Sequence, residues 1–198
     1  LVDHEMTTRG EEPVAADYQI LGTDGAGKLR LLACACRRSV MEEYLAMFSR
    51  LGLRVSSVTM ALAGYVRLLA AMDAMRGRTC IWLLFERGSV LSLLVESGEY
   101  RYSGRTQIFS ETGTLDFAAE VARNVSGTVQ FHTANRSEHT IDAVCYAGCD
   151  DGDFAVCVPE LAAMGLRAEP LPTPDCLRAL PGRARMGDWI DCVSALLR

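Results

Sequence analysis

The segment that most constrains the fold runs from residue 116 to residue 166, where a helical pattern passes into the pattern of a buried strand. Its first half repeats apolar or partly apolar residues at three- and four-residue spacing, as along one face of an amphipathic helix. These positions are Phe117, Val121, Val125, Val129 and His132. After a polar break, residues 141–146 form a short apolar run typical of a strand buried on both faces, which Gly148 ends. With a second helix beginning near Phe154, the segment predicts an αβα unit of a layered α/β domain, with ligands bound at the strand end.

Three further strands are predicted ahead of this unit. Residues 79–86 and 89–96 are mostly apolar, and the Arg87-Gly88 pair between them is typical of a hairpin turn. Residues 100–104 alternate polar and apolar side chains and predict a third antiparallel strand. The elements predicted after the αβα unit are an edge strand at 167–170 and a closing helix at 187–198.

The N-terminal part of the chain carries a different order of elements, ββαβα, over residues 1–76. The predicted elements are strands at 17–21 and 28–36, a helix ending at Gly52, a strand at 55–58 and a helix at 59–75. Arg76-Gly77-Arg78 forms a linker after them. This linker divides the chain into two parts, 1–76 and 77–198.

Composition and charge exclude several classes of function. Charged residues make up 23% of the chain, the net charge is −5, and the basic residues are scattered, which argues against a nucleic-acid partner. No apolar run approaches the roughly 20 residues needed to span a bilayer. No signal peptide precedes the polar start, and we expect a chain beginning at Leu1 to be a portion of a longer protein.

Eight cysteines raise the question of disulfides or a thiol site. Cys34, Cys36, Cys80 and Cys145 lie in apolar, strand-like runs, where a free cysteine behaves as a small hydrophobic residue. The chain is too long and too rich in core residues for a secreted disulfide scaffold, so we interpret the cysteines as reduced, structural thiols. Because Cys34 and Cys36 share one face of a strand, a thiol sensor built on this pair is an alternative function.

Three segments match motifs of one known family. Residues 17–22, Asp-Tyr-Gln-Ile-Leu-Gly, match its D-Y-Q-V-L-G strand, and residues 141–148 follow its I-D-x-I-x-L-x-G-G pattern. Residues 194–198 match the end of its closing helix. On these residues the chain resembles the C-terminal portion of the type IV pilus assembly protein PilM family, which is FtsA-like and has the actin-like ATPase fold. The resemblance implies an α/β protein with mixed sheets and an actin-like, ribonuclease H-like fold, present in part as two lobes. The remainder of the first lobe would lie at 1–76, and the second lobe at 77–198.

The resemblance also indicates where a nucleotide site would lie. The family pattern D-x-G-x-x-x-T falls on residues 85–91, Phe-Glu-Arg-Gly-Ser-Val-Leu, where only Gly88 and Ser89 suit a phosphate. The family's Gly-Gly pair falls on Ala147 and Gly148. Gly88, Ser89 and Gly148 are therefore the candidate contacts of a vestigial nucleotide site. No catalytic residue and no metal ligand is predicted.

Two departures from the family pattern weaken this site. Asp150 and Asp151 follow Gly148 and would repel a polyphosphate unless a cation lay between them. Residues 105–113 lead almost directly into the next helix, so the subdomain that covers the adenine in the family is shortened. We therefore expect no cofactor for this chain, although the resemblance implies ATP and Mg²⁺ for the full-length protein.

Three functions remain open on the sequence. The resemblance implies a cytoplasmic scaffold of type IV pilus biogenesis or a related secretion assembly, peripheral at the inner face of the cell membrane. Its implied partners are the N-terminal cytoplasmic peptide of a PilN-like inner-membrane protein, the assembly machinery and, in a homo-oligomer, further copies of itself. The alternatives are an active ATPase or sugar-kinase-like enzyme of the actin fold, and the thiol sensor.

Overall fold

The computed structural model describes residues 13–23, 25–135, 137–174 and 186–196, and in the last segment the side chains of 190–195. The chain forms two compact units that divide between Gly64 and Tyr65. Residues 65–76 therefore group with the second unit. The lobe boundary expected at residues 76 and 77 comes from the family resemblance, and it stays a prediction.

The first unit is a hairpin followed by a helix. Strand β1 (Val14–Thr23) pairs antiparallel with β2 (Leu29–Arg37), and Tyr18 lies opposite Ala33. Helix α1 (Arg38–Arg50) follows β2 directly. The hairpin and the helix predicted here are confirmed.

The strand predicted at residues 55–58 is wrong. Residues 53–60 form neither helix nor strand, and the described sheet of this unit contains only β1 and β2. Val58 leaves 64% of its surface exposed and Val55 is only half-buried. The apolar spacing suits a strand, but a strand also needs a neighbour for its backbone hydrogen bonds. The order in this unit is therefore ββα, followed by the start of a second helix.

The second unit is built on a five-stranded mixed sheet. Its strands are β3 (Cys80–Glu86), β4 (Ser89–Glu96), β5 (Glu99–Gln107), β6 (Ala143–Ala147) and β7 (Arg167–Pro170). They lie in the order β5-β4-β3-β6-β7. The first three in sequence form an antiparallel meander, whereas β6 pairs in parallel with both β3 and β7. All five strands predicted for this part are confirmed.

Five α-helices accompany this sheet in the described residues. They are α2 (Ala61–Ala71), which crosses the division between the units, α3 (Leu115–Ala134), α4 (Asp151–Phe154), α5 (Val158–Ala163) and α6 (Met186–Leu196). Thr114 begins α3, because its hydroxyl accepts a hydrogen bond from the Phe117 N–H at 3.2 Å. Among the described residues, no helix combines the length and the hydropathy that a bilayer crossing needs.

The main core lies between one face of this sheet and helices α3 and α5. Side chains from β3, β4 and β6 meet the apolar stripe of α3, as the helical spacing predicts. Its buried members include Ile81, Leu83, Val90, Leu94, Val144, Phe117, Val121, Val125 and Leu161. The opposite face is also buried, with Trp82 and Leu93 fully enclosed and α6 packed against β6. The sheet is therefore covered on both faces, which explains why its central strands are continuous apolar runs.

Candidate functional site

A cavity of about 840 Å³ lies beside the turn that joins β3 to β4. In this hairpin Glu86 lies opposite Ser89, and Arg87 and Gly88 form the turn. Gly88 has φ +68°, a conformation that favours glycine, and its carbonyl accepts a hydrogen bond from the Ile108 N–H at 2.9 Å. The cavity is lined by Phe85, Glu86, Arg87, Gly88, Ser89, Arg105, Ile108, Ser110, Thr112, Phe117, Gly148, Cys149 and Asp191.

Gly148, directly after β6, forms part of the same cavity wall. It has φ +77°, and a Cβ atom placed on it would overlap the backbone carbonyl oxygen of Phe85. Packing between two strand ends therefore requires glycine here, whether or not a ligand binds. The structure brings Gly88, Ser89 and Gly148 to one cavity, as the family resemblance suggests, and their role in binding nucleotide stays a prediction.

An ion pair between Arg105 and Glu86, which the sequence motifs did not indicate, lies beside Ser89. Arg105, on β5, donates from Nη2 to Oε1 of Glu86 at 3.2 Å and from Nη1 to Oε2 of the same carboxylate. Its Nη1 also donates to Oγ of Ser89 at 3.1 Å. The hydrogen bond to Glu86 raises the pKa of the Arg105 guanidinium further, against the opposing effect of burial. Arg105 therefore uses its charge within the protein.

A second polar contact joins the cavity wall to helices α2 and α6. The buried hydroxyl of Tyr65, on α2, donates to Oδ1 of Asp191, on α6, and lies 3.4 Å from Oε1 of Glu86. Burial raises the pKa of Tyr65, and the neighbouring carboxylate of Asp191 raises it again. Sequence reasoning assigned Asp191 only to a closing helix, because nothing local marks a partner 126 residues away.

The charge in this cavity is mixed. Glu86 and Asp191 bring two carboxylates, and Arg87 and Arg105 bring two guanidinium groups, of which Arg105 is paired. Ser110 and Thr112 add hydroxyl groups to the wall. A polyphosphate entering here would meet both carboxylates at close range, which is unfavourable without a cation between them.

The acidic loop after Gly148 is occupied by local contacts. Oδ1 of Asp150 accepts the Gly152 N–H at 3.2 Å and caps α4, and the Tyr146 hydroxyl donates to Asp151 at 3.0 Å. Asp153 accepts a hydrogen bond from the Thr112 hydroxyl at 3.3 Å. Among the described residues, no group of three or more histidine, cysteine, aspartate or glutamate side chains is arranged to hold a metal ion. These three carboxylates are therefore engaged in hydrogen bonds that fix the loop and the start of α4.

The seven described cysteines are free thiols, and their surroundings differ. Cys80 and Cys145 are buried, as the interpretation of structural thiols predicts. Cys36 is exposed and Cys34 half-buried, so the interpretation as structural thiols is wrong for Cys36 and holds only in part for Cys34. Alternation along β2 does place them on one face.

Comparison with known proteins shows the fold of this chain. No protein-family model and no curated protein sequence matches it. Among solved structures, the chain is similar to the PilM–PilN type IV pilus biogenesis complex, with TM-score 0.69, 13% identity, and 99% of this chain and 68% of that chain covered. It is also similar to a Bacteroides thetaiotaomicron protein with actin-like ATPase fold and unknown function, with TM-score 0.50, 10% identity, and 83% and 56% covered. The chain therefore has the mixed α/β, actin-like ATPase fold that the sequence motifs imply.

Proposed function

We propose that this chain is part of a PilM-like scaffold of type IV pilus biogenesis or a related secretion assembly. The observation that carries the proposal is its likeness in fold to the PilM–PilN complex over 99% of its length. In this role the protein works in the cytoplasm, at the inner face of the cell membrane. Its partner there is the N-terminal cytoplasmic peptide of a PilN-like inner-membrane protein.

The proposal includes a nucleotide site that has lost its ligand. The guanidinium of Arg105 is paired with the carboxylate of Glu86 and also donates to the hydroxyl oxygen of Ser89, so its positive charge is already used within the protein. Asp191 adds a second carboxylate to the cavity. Bringing a triphosphate beside these carboxylates is electrostatically unfavourable. This supports a protein whose fold serves to bind partner proteins rather than nucleotide.

The short connection from β5 to α3 also supports this proposal. Both oxygens of Glu120 are engaged there, one by the Phe109 N–H at 2.9 Å and the other by the Ser110 hydroxyl at 2.7 Å. These hydrogen bonds hold residues 108–114, which connect the sheet to α3, as a short loop. In the family, a subdomain that covers the adenine lies at this point. A nucleotide in the cavity would lack that cover.

One observation favours the alternative of an ATP-binding enzyme. The cavity has about 840 Å³, which is within the usual range of ligand sites, and all three candidate contacts line it. Isothermal titration with MgATP separates the two functions, using the chain and its Ser89→Asp variant, with Ser97→Asp in the β4–β5 turn as the control. We expect no saturable heat from any of them. Saturable binding that is lost only in Ser89→Asp would contradict the degenerate site and show that the cavity binds nucleotide.

The scaffold role is tested in the bacterium that encodes the chain. Deletion of the gene should abolish surface pili or the related secretion. A plasmid copy should restore them, and so should a copy carrying Ser89→Asp, because the proposal assigns no role to nucleotide. A deletion strain with normal pili and normal secretion would contradict the proposal. If only the unchanged copy restored pili or secretion, Ser89 would be needed for function, which would contradict a degenerate nucleotide site.

A further inference from the structure

We draw no further inference here: the strongest candidate, the exposed apolar face of the β1–β2 hairpin formed by Tyr18, Ile20, Leu29 and Leu31, carries none because nothing in the described part of the structure shows what covers it.

Discussion

Gly148 and Phe85 lie so close together that a Cβ atom on the glycine would overlap the carbonyl oxygen of the phenylalanine. The contact joins the end of β6 to the end of β3, its parallel neighbour, where Leu84 pairs with Ala147. Gly148 also has φ +77°, which side-chain-bearing residues rarely adopt. The glycine that marks the family motif is therefore needed by the fold itself.

Replacement of Gly148 by alanine should lower the free energy of unfolding by about 2–4 kcal/mol, because backbone atoms must move apart and a positive φ is strained. Urea denaturation followed by circular dichroism measures the change. Gly127→Ala is the matched control, since its Cβ would meet nothing and the helix gains about 0.5–1 kcal/mol. Equal stability of the two variants would show that Gly148 does not pack as described.

Tyr65→Phe should cost about 1 kcal/mol of unfolding free energy, the usual worth of a hydrogen bond. The hydroxyl donates to Asp191 and lies 3.4 Å from Glu86, but Asp191 is exposed, so water can replace part of the lost contact. The measurement is again urea denaturation, with Tyr44→Phe as the control, because Tyr44 leaves 60% of its surface exposed. A Tyr65 variant as stable as the control would contradict the contact between α2 and α6.

Glu96 makes stability depend on acid pH. Burial alone would raise the pKa of the Glu96 carboxyl. The hydrogen bond from Ser137 and the charge of Arg101, whose Nε lies 2.7 Å from Oε2, lower this pKa below its ordinary value. His132 Nε2 lies 3.4 Å from the other carboxylate oxygen. A carboxylate with a lowered folded-state pKa stabilises the protein above its unfolded pKa of about 4.3 and loses that effect as the pH falls through the folded value.

Glu96→Gln should therefore lower the unfolding free energy by about 2 kcal/mol at pH 7, and the difference from the unchanged chain should shrink below about pH 4. Denaturation curves at intervals between pH 3 and pH 7 measure it. Glu99→Gln, at a side chain 62% exposed, should change stability by less than about 0.5 kcal/mol. A difference that stays constant down to pH 3 would mean that the carboxylate charge contributes nothing.

The thiols should react with a maleimide in a fixed order. Cys36 and Cys192 are exposed and should be modified first, whereas Cys80, Cys145 and Cys157 are buried and should react only on unfolding. Cys149 is half-buried, and burial together with the charges of Asp153 and Asp150 raises its pKa to about 11. Mass spectrometry of the labelled peptides should show Cys149 at least about tenfold slower than Cys36 at pH 7.5, and faster as the pH rises. Early labelling of Cys145 would contradict its burial.

Much of the second unit could be predicted from local patterns. Residues 89–96 and 167–170 are strands with the predicted limits, and the β3–β4 turn falls on Arg87 and Gly88. The residues 55–58 show the limit of such patterns. Their spacing is that of a strand, but whether a strand forms depends on a partner that another part of the chain must supply.

By itself the sequence determined the order and type of the elements around the cavity and placed Gly88, Ser89 and Gly148 at their ends. It could do so because glycine turns and apolar spacing act over a few residues. Only the tertiary structure decided which charges meet there. Sheet register brings Arg105 to Glu86, 19 residues away in sequence, and helix packing brings Asp191 to Tyr65, 126 residues away.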